Sequence, residues 1–164
     1  MRFSPFGDAR RPRRAGAGGA VDQKHRVVAR DVSIDGCIVG IAGSTVRAEG
    51  VAVTSSAAAG IYADFGVTGR DVVSSGDGTY GVVVPYGPVR LRDLTANGNG
   101  WQGILARRAV LRDSTVTNND AAGFGIDVGT LVRPNLVAVT CGKSAQEPFL
   151  AHVSGPPWGV CAND

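Results

Sequence analysis

A chain of 164 residues with 43% apolar content can close one hydrophobic core and is too short to suggest two domains. Its 24 glycines and 6% aromatic residues argue against a helical globule and for short strands joined by tight turns. No run approaches the roughly 18 apolar residues of a membrane span, and the net charge of +3 is uneven: residues 1 to 26 hold seven basic groups against Asp8 and Asp22, leaving residues 27 to 164 at −2.

The opening MRFSPFGDARRPRRAGAGGA has arginines where a secretory signal has its apolar middle region. Residues 1 to 25 therefore read as a flexible basic leader. It could follow phosphates or an anionic surface by charge alone, but it contains no motif that singles out nucleic acid, and nucleic-acid binding is not expected. His25 and His152 lie at the margins of the repeats described next, and no Ser, His and acid set can be assembled around them.

From residue 26 the chain is periodic. Glycine followed by a branched aliphatic recurs as Gly40-Ile41, Gly60-Ile61, Gly81-Val82, Gly103-Ile104 and Gly125-Ile126, at spacings of 20, 21, 22 and 22 residues. A second column, Val27, Val46, Val67, Val89, Val110 and Val132, keeps the same beat. A third set alternates: Val32 and Ile34, Val51 and Val53, Leu94 and Ala96, Leu136 and Ala138, the period of two that marks half-buried strands. Three short strands per repeat, separated by Gly, Asn, Asp and Ser, describe a three-sided coil. Stacked coils place their strands in parallel about 4.8 Å apart and turn each column into a ladder. The expected fold is all-β, a right-handed parallel β-helix of about six coils of 19 to 22 residues over residues 26 to 142, followed by an irregular cap over residues 143 to 164.

Units such as LTANGNGWQGILA (residues 94 to 106) and STVTNNDAAGFGIDV (residues 114 to 128) end a strand in Asn or Asp, turn through glycine and re-enter with Gly-Ile. In this the chain resembles the right-handed parallel β-helix repeat proteins of the pectin-lyase-like superfamily. The resemblance implies the fold but not one activity, since that superfamily includes polysaccharide lyases, hydrolases, epimerases, phage tailspikes and members that only bind. It implies no hydrolase of the polygalacturonase type, because the Gly-His-Gly tripeptide of those enzymes does not occur here. Lyase-type members use an arginine base beside calcium-binding aspartates, and here several residues fit that description equally.

Those residues come from a repeated dipeptide: Arg30-Asp31, Arg70-Asp71, Arg92-Asp93 and Arg112-Asp113. Aligned on the valines, the acidic column reads Asp31, Gly50, Asp71, Asp93, Asp113, Asn135. Asp71, Asp93 and Asp113 on consecutive coils could hold Ca²⁺, with Arg92 or Arg112 meeting a sugar carboxylate; two carboxyls about 5 Å apart would instead suit a retaining glycosidase. The architectural alternative is that each Asp serves a turn and each Arg is its charge partner, which explains why the dipeptide repeats. Asn97, Asn99, Asn118 and Asn119 are candidate sugar ligands, although asparagine in such turns also bonds the backbone of the next coil. Trp101 is a candidate stacking platform, with Tyr80 and Phe124 at similar places in neighbouring turns.

Cys141 and Cys161 bracket a Pro- and Gly-rich segment, and a bridge between them would close a loop of about twenty residues; two unlinked thiols are the alternative, with Cys37 left over as a small core residue. A bridge implies an oxidising compartment, and with the family's usual secretion it places the protein outside the cell or on its surface. Phe149 and Trp158 could cover the last coil. The first coil has no such cover, so either the chain is a shortened β-helix or the basic arm pairs with another chain in an oligomer. The expected function is a non-catalytic module that presents a lateral face to a polysaccharide or another surface ligand. The alternatives are a polysaccharide lyase or related carbohydrate-active enzyme working through Asp71, Asp93, Asp113, Arg92 and Arg112, and a structural scaffold.

Overall fold

A computed structural model describes residues 26–120, 123, 125–147 and 155–164. Eight strands follow in order: β1 (Arg26–Asp35), β2 (Ile41–Thr54), β3 (Ile61–Ser75), β4 (Val82–Asn97), β5 (Ile104–Thr117), β6 (Val128–Thr130), β7 (Asn135–Cys141) and β8 (Ser144–Gln146). They pair β1-β2-β3-β4-β5-β6-β8, with β7 also on β5, and all these pairings are parallel. Strands that pair in chain order and always in parallel wind as a coil, and the fold is a β-solenoid of about five turns, one fewer than the repeat count implied. Among the described residues no helix is long and apolar enough to cross a membrane.

Each long strand is almost a whole coil, because it bends twice without losing its pairing. The first bend is a corner at which the register shifts, between Gly43 and Thr45, Tyr62 and Val67, or Val84 and Pro88. The second is one residue in the left-handed region: Asp31, Gly50, Asp71, Asp93, Asp113 and Ala138, all with φ between +48° and +61°. In β2 the three sides are Ile41–Gly43, Thr45–Glu49 and Val51–Thr54.

This second bend accounts for the acidic column. Aspartate tolerates positive φ better than most side chains, because its short polar group can bond locally, and glycine tolerates it best. Asp31 faces Gly50, Asp71 faces Asp93 and Asp93 faces Asp113, as read from their flanking pairs. The last member is Ala138 and not Asn135, since Arg112 pairs with Val137 and Ser114 with Val139, while Asn135 pairs with Val110.

The core is a set of ladders. Ile61, Val82, Ile104 and Val128 are fully buried on the first side, Val67, Val89 and Ala109 on the second, and Val72 and Leu94 on the third. Each aliphatic side chain withdrawn from water in this way stabilises the fold by roughly 1.5–3 kcal/mol. Five expected ladder members differ. Val89 pairs with Ala109, so Val110 falls one place off the column and Val132 is exposed at a corner. The turn after β5 is longer than its predecessors, so Val128 and not Ile126 pairs with Ile104, and Val139 and Cys141, not Leu136 and Ala138, continue the third side.

The solenoid also runs past residue 142, since β8 pairs with β6. Beyond it residues 155 to 164 return over the last coil. Ala162 N–H donates to Cys141 O and Asn163 N–H to Gly142 O, at 3.1 and 2.7 Å. Asp164 accepts from Ser144 through both its N–H and its hydroxyl. Cys141 and Cys161 are joined by a disulfide, with Cα atoms 5.1 Å apart, and Cys37 is a free, half-buried thiol. Trp158 is half-buried in this return segment; Phe149, like Phe124, His25, His152 and the basic leader, lies outside the described residues.

Candidate ligand-binding face

The second side of each coil alternates in and out, and its outward positions are rich in arginine. Val46, Val67, Val89 and Ala109 point inward, so the residues one and three places later point outward. One outward column reads Arg30, Glu49, Arg70, Arg92, Arg112, each residue paired in register with the next. The column beside it reads Val28, Arg47, Thr68, Arg90, Val110. Arg26 and Arg108 stand at the start of the same side in the first and fifth strands, and all eight arginines are exposed.

Their charges are only partly answered. Glu49 takes Arg47 at 2.7 Å and Arg30 at 3.1 Å, and hydrogen bonds from Arg47, then Arg30, hold its carboxyl below the usual carboxylate range. Arg92 lies between Asp113 at 3.2 Å and Asp93 at 3.5 Å, and Arg70 is 3.9 Å from Asp71. Arg26, Arg90, Arg108 and Arg112 have no carboxylate within 4.0 Å among the described residues. The result is a flat lateral face whose guanidinium groups recur at multiples of about 4.8 Å along the axis. Such groups are forked donors suited to carboxylates. Asp71, Asp93 and Asp113 edge this face as exposed side chains. Among the described residues no three acidic, His or Cys groups gather as a cation site would.

The long turns between coils belong to a different, buried system. Asn99 and Asn119 are each 2% exposed. Asn99 Oδ1 accepts from Asp77 N–H at 3.0 Å, and Asn99 Nδ2 donates to Asn119 Oδ1 at 2.8 Å and to Ser74 O at 3.2 Å. Asn119 Oδ1 also accepts from Asn99 N–H, while its Nδ2 donates to Ala96 O and to Asp127 Oδ1. Asp127 then receives the N–H groups of Asn119, Gly142 and Lys143. At the other end Asp77 receives Ser56 N–H and the Ser74 hydroxyl; burial pushes its carboxyl up, against the lowering effect of these donors. Asn99 and Asn119 therefore tie neighbouring coils together, and their amides do not face a ligand. Asn97 is half-buried and accepts from Thr117 through both its N–H and its hydroxyl. Asn118 is exposed at φ +57°, a turn position.

Trp101 is 39% exposed and meets Tyr80 edge-on, with ring centroids 5.2 Å apart. Tyr80 packs on a small second cluster, Ala59, Val83 and Leu105, which covers the outer face of the first side. Next to it Gln102 Nε2 donates to both oxygens of the buried Glu147, at 2.9 and 3.0 Å. Burial, then the Asp120 carboxylate, pushes Glu147 up against the lowering effect of Gln102; burial, then Glu147 and Asp120, push the Tyr80 hydroxyl up to about 12. An acid raised above its unfolded value of about 4.3 costs stability once ionised. That cost is absent well below this value, grows as pH rises through it and is complete above the folded value. Glu147→Gln, which keeps a partner for Gln102, should therefore raise the melting temperature at about pH 7 and give no gain at about pH 3. An equal shift at both pH values would mean that ionisation of Glu147 is not what the fold opposes.

The sequence pattern marked the arginines of the Arg-Asp dipeptides. It passed over Arg26, Arg47, Arg90 and Arg108, which coil register brings to the same face. No family model, curated protein or solved structure matches the chain.

Proposed function

We propose that this protein is a non-catalytic β-solenoid module that holds an acidic polysaccharide along its arginine-bearing side, as binding members of the pectin-lyase-like superfamily would. The observation that carries the reading is the register of Arg30, Arg70, Arg92 and Arg112 in one exposed column with Arg47 and Arg90 beside it. A polymer with one carboxylate per sugar advances by a distance comparable to one rung, so it can meet successive arginines without bending. A dense phosphate backbone suits this face less well, because Glu49, Asp71, Asp93 and Asp113 interrupt or border it. The lyase reading would draw on Arg92 or Arg112; Arg92 is already engaged by Asp113 at 3.2 Å and Asp93 at 3.5 Å, whereas Arg112 has no carboxylate within 4.0 Å among the described residues and is open to an anion. The disulfide between Cys141 and Cys161 supports an oxidising, extracellular setting.

The test is binding of the full chain to polygalacturonate and to the same polymer with its carboxyls reduced, across a range of salt. Retention of the acidic polymer alone, weakening as salt rises, is expected. Each exposed arginine–carboxylate contact contributes up to about 1 kcal/mol, so Arg70→Gln with Arg112→Gln should weaken binding by about tenfold. Equal retention of both polymers would remove the arginines from the explanation. Shortened chains with unsaturated ends, abolished in Asp93→Asn, would replace this reading with the lyase.

A further inference from the structure

The corners between the first and second sides differ in length from coil to coil, and two adjacent ones carry exposed aromatic rings. Ser44 alone forms the corner in β2, between the pairs Gly43–Ala63 and Thr45–Gly66. Asp64 and Phe65 form it in β3, and Pro85, Tyr86 and Gly87 in β4. In β5 it shrinks back to Arg107. The corners of β3 and β4 each carry an aromatic ring that the core does not use: Phe65 is 58% and Tyr86 69% exposed, and their centroids lie 6.2 Å apart at an angle of 39°. Gly87 makes this stacking of corners feasible, since a Cβ there would come within 1.9 Å of Phe65 O. A ladder maintains itself by repetition, so residues inserted to project apolar rings into water serve something outside the ladder.

Beneath the overhang a groove of about 320 Å³ opens onto the second side, lined by Phe65, Thr68, Arg26, Arg47 and Arg90 among others. Arg47 is steadied by Glu49, while Arg26 and Arg90 have no carboxylate partner among the described residues. Register puts Thr68 between Arg47 and Arg90, which are therefore two rungs, about 10 Å, apart.

We propose that this groove is the anchoring subsite of the arginine face, taking one or two acidic sugars of the polymer with a pyranose ring against Phe65 and Tyr86 and carboxylates on Arg90 and Arg47. Sugar rings offer apolar C–H faces to aromatic rings, and uronates add the charge that the arginines recognise. The remaining arginines then extend the contact but do not select the sugar. The inference rests on the polysaccharide-binding reading and deepens it.

The experiment is calorimetric titration of the full chain with a short galacturonate oligomer, its carboxyl-reduced counterpart and a single-stranded oligodeoxynucleotide. The variants are Phe65→Ser with Tyr86→Ser, Arg90→Gln, and Arg70→Gln with Arg112→Gln, each checked for an unchanged melt. The expected result is saturable binding of the uronate oligomer alone, weakened about tenfold by the aromatic pair, about fivefold by Arg90→Gln, and less by Arg70→Gln with Arg112→Gln. Binding that survives both groove variants but is lost in Arg70→Gln with Arg112→Gln would overturn the groove and leave the face intact. No binding of any acidic glycan would overturn both readings. Tighter binding of the oligonucleotide than of the uronate would overturn the groove as a sugar site and assign it to nucleic acid.

Discussion

Asn119→Ala should cost about 3 kcal/mol of stability, because it strips hydrogen bonds from several buried groups at once. Asn119 Oδ1 is the acceptor for both the N–H and the Nδ2 of Asn99, and its Nδ2 serves Ala96 O and Asp127. After truncation the Asn99 N–H, in a residue 2% exposed, has no side-chain acceptor. The loss corresponds to a fall of roughly 6–12 °C in melting midpoint for a chain of this size. Asn118→Ala, one residue earlier, is the comparison. That side chain is exposed, and the change should cost about 1 kcal/mol or less, mainly for placing alanine at positive φ. Thermal and denaturant melts of the two variants check this. Equal costs would show that the buried amide ladder does not hold the coils together.

Gly69→Ala should be at least as damaging. The φ of Gly69 is +157°, and a Cβ there would lie 1.7 Å from Ala48 O and 2.8 Å from Ala48 C, backbone atoms of the coil beside it. No side chain can turn away to relieve this contact. One coil must move against its neighbour, and the substitution should cost roughly 3–5 kcal/mol or prevent folding. Gly98 also has positive φ, +64°, but nothing lies within 4 Å of its would-be Cβ; Gly98→Ala should cost only about 1 kcal/mol. Soluble yield and melting midpoint separate the two. A Gly69→Ala protein as stable as Gly98→Ala would mean that the coils are less tightly stacked at this point than the structure has them.

Both pairs of substitutions compare residues that look alike in the chain. Asn118 and Asn119 are adjacent, and both follow a strand that reads STVT. One points into the stack and one away, because the turn places a left-handed residue at Asn118 and so directs the next side chain inward. Taken as a group, these asparagines suited sugar binding as well as architecture, and only the hydrogen bonds between coils divide them. The acidic column was legible for a related reason: aspartate recurred at one place per coil, and that place is a backbone bend with positive φ. Its last member was misplaced because the turn after β5 is longer than its predecessors, and counting on from a valine cannot detect an insertion.

The arginine face shows the same division more sharply. Arg70, Arg92 and Arg112 could be aligned from their dipeptides, and the inward and outward alternation of the strands follows from their period of two. Arg47 and Arg90 lie outside any Arg-Asp dipeptide but each directly follows a valine of the repeated column, Val46 and Val89, and the pairing of Arg47 with Thr68 and of Thr68 with Arg90 places them in one outward column. Phe65 and Tyr86 carried no signal at all, since they stand in corners whose lengths differ between coils.

By itself the sequence determined that this chain is a parallel β-solenoid, because burial imposes the same demand on every coil and a repeated demand leaves a repeated residue. The tertiary structure alone decided which turn amides point inward, how many turns the stack contains and which side chains share its outer face. Those outcomes depend on register across about 20 residues of intervening chain, where a single inserted residue redirects a side chain from the core to the solvent without altering the local pattern.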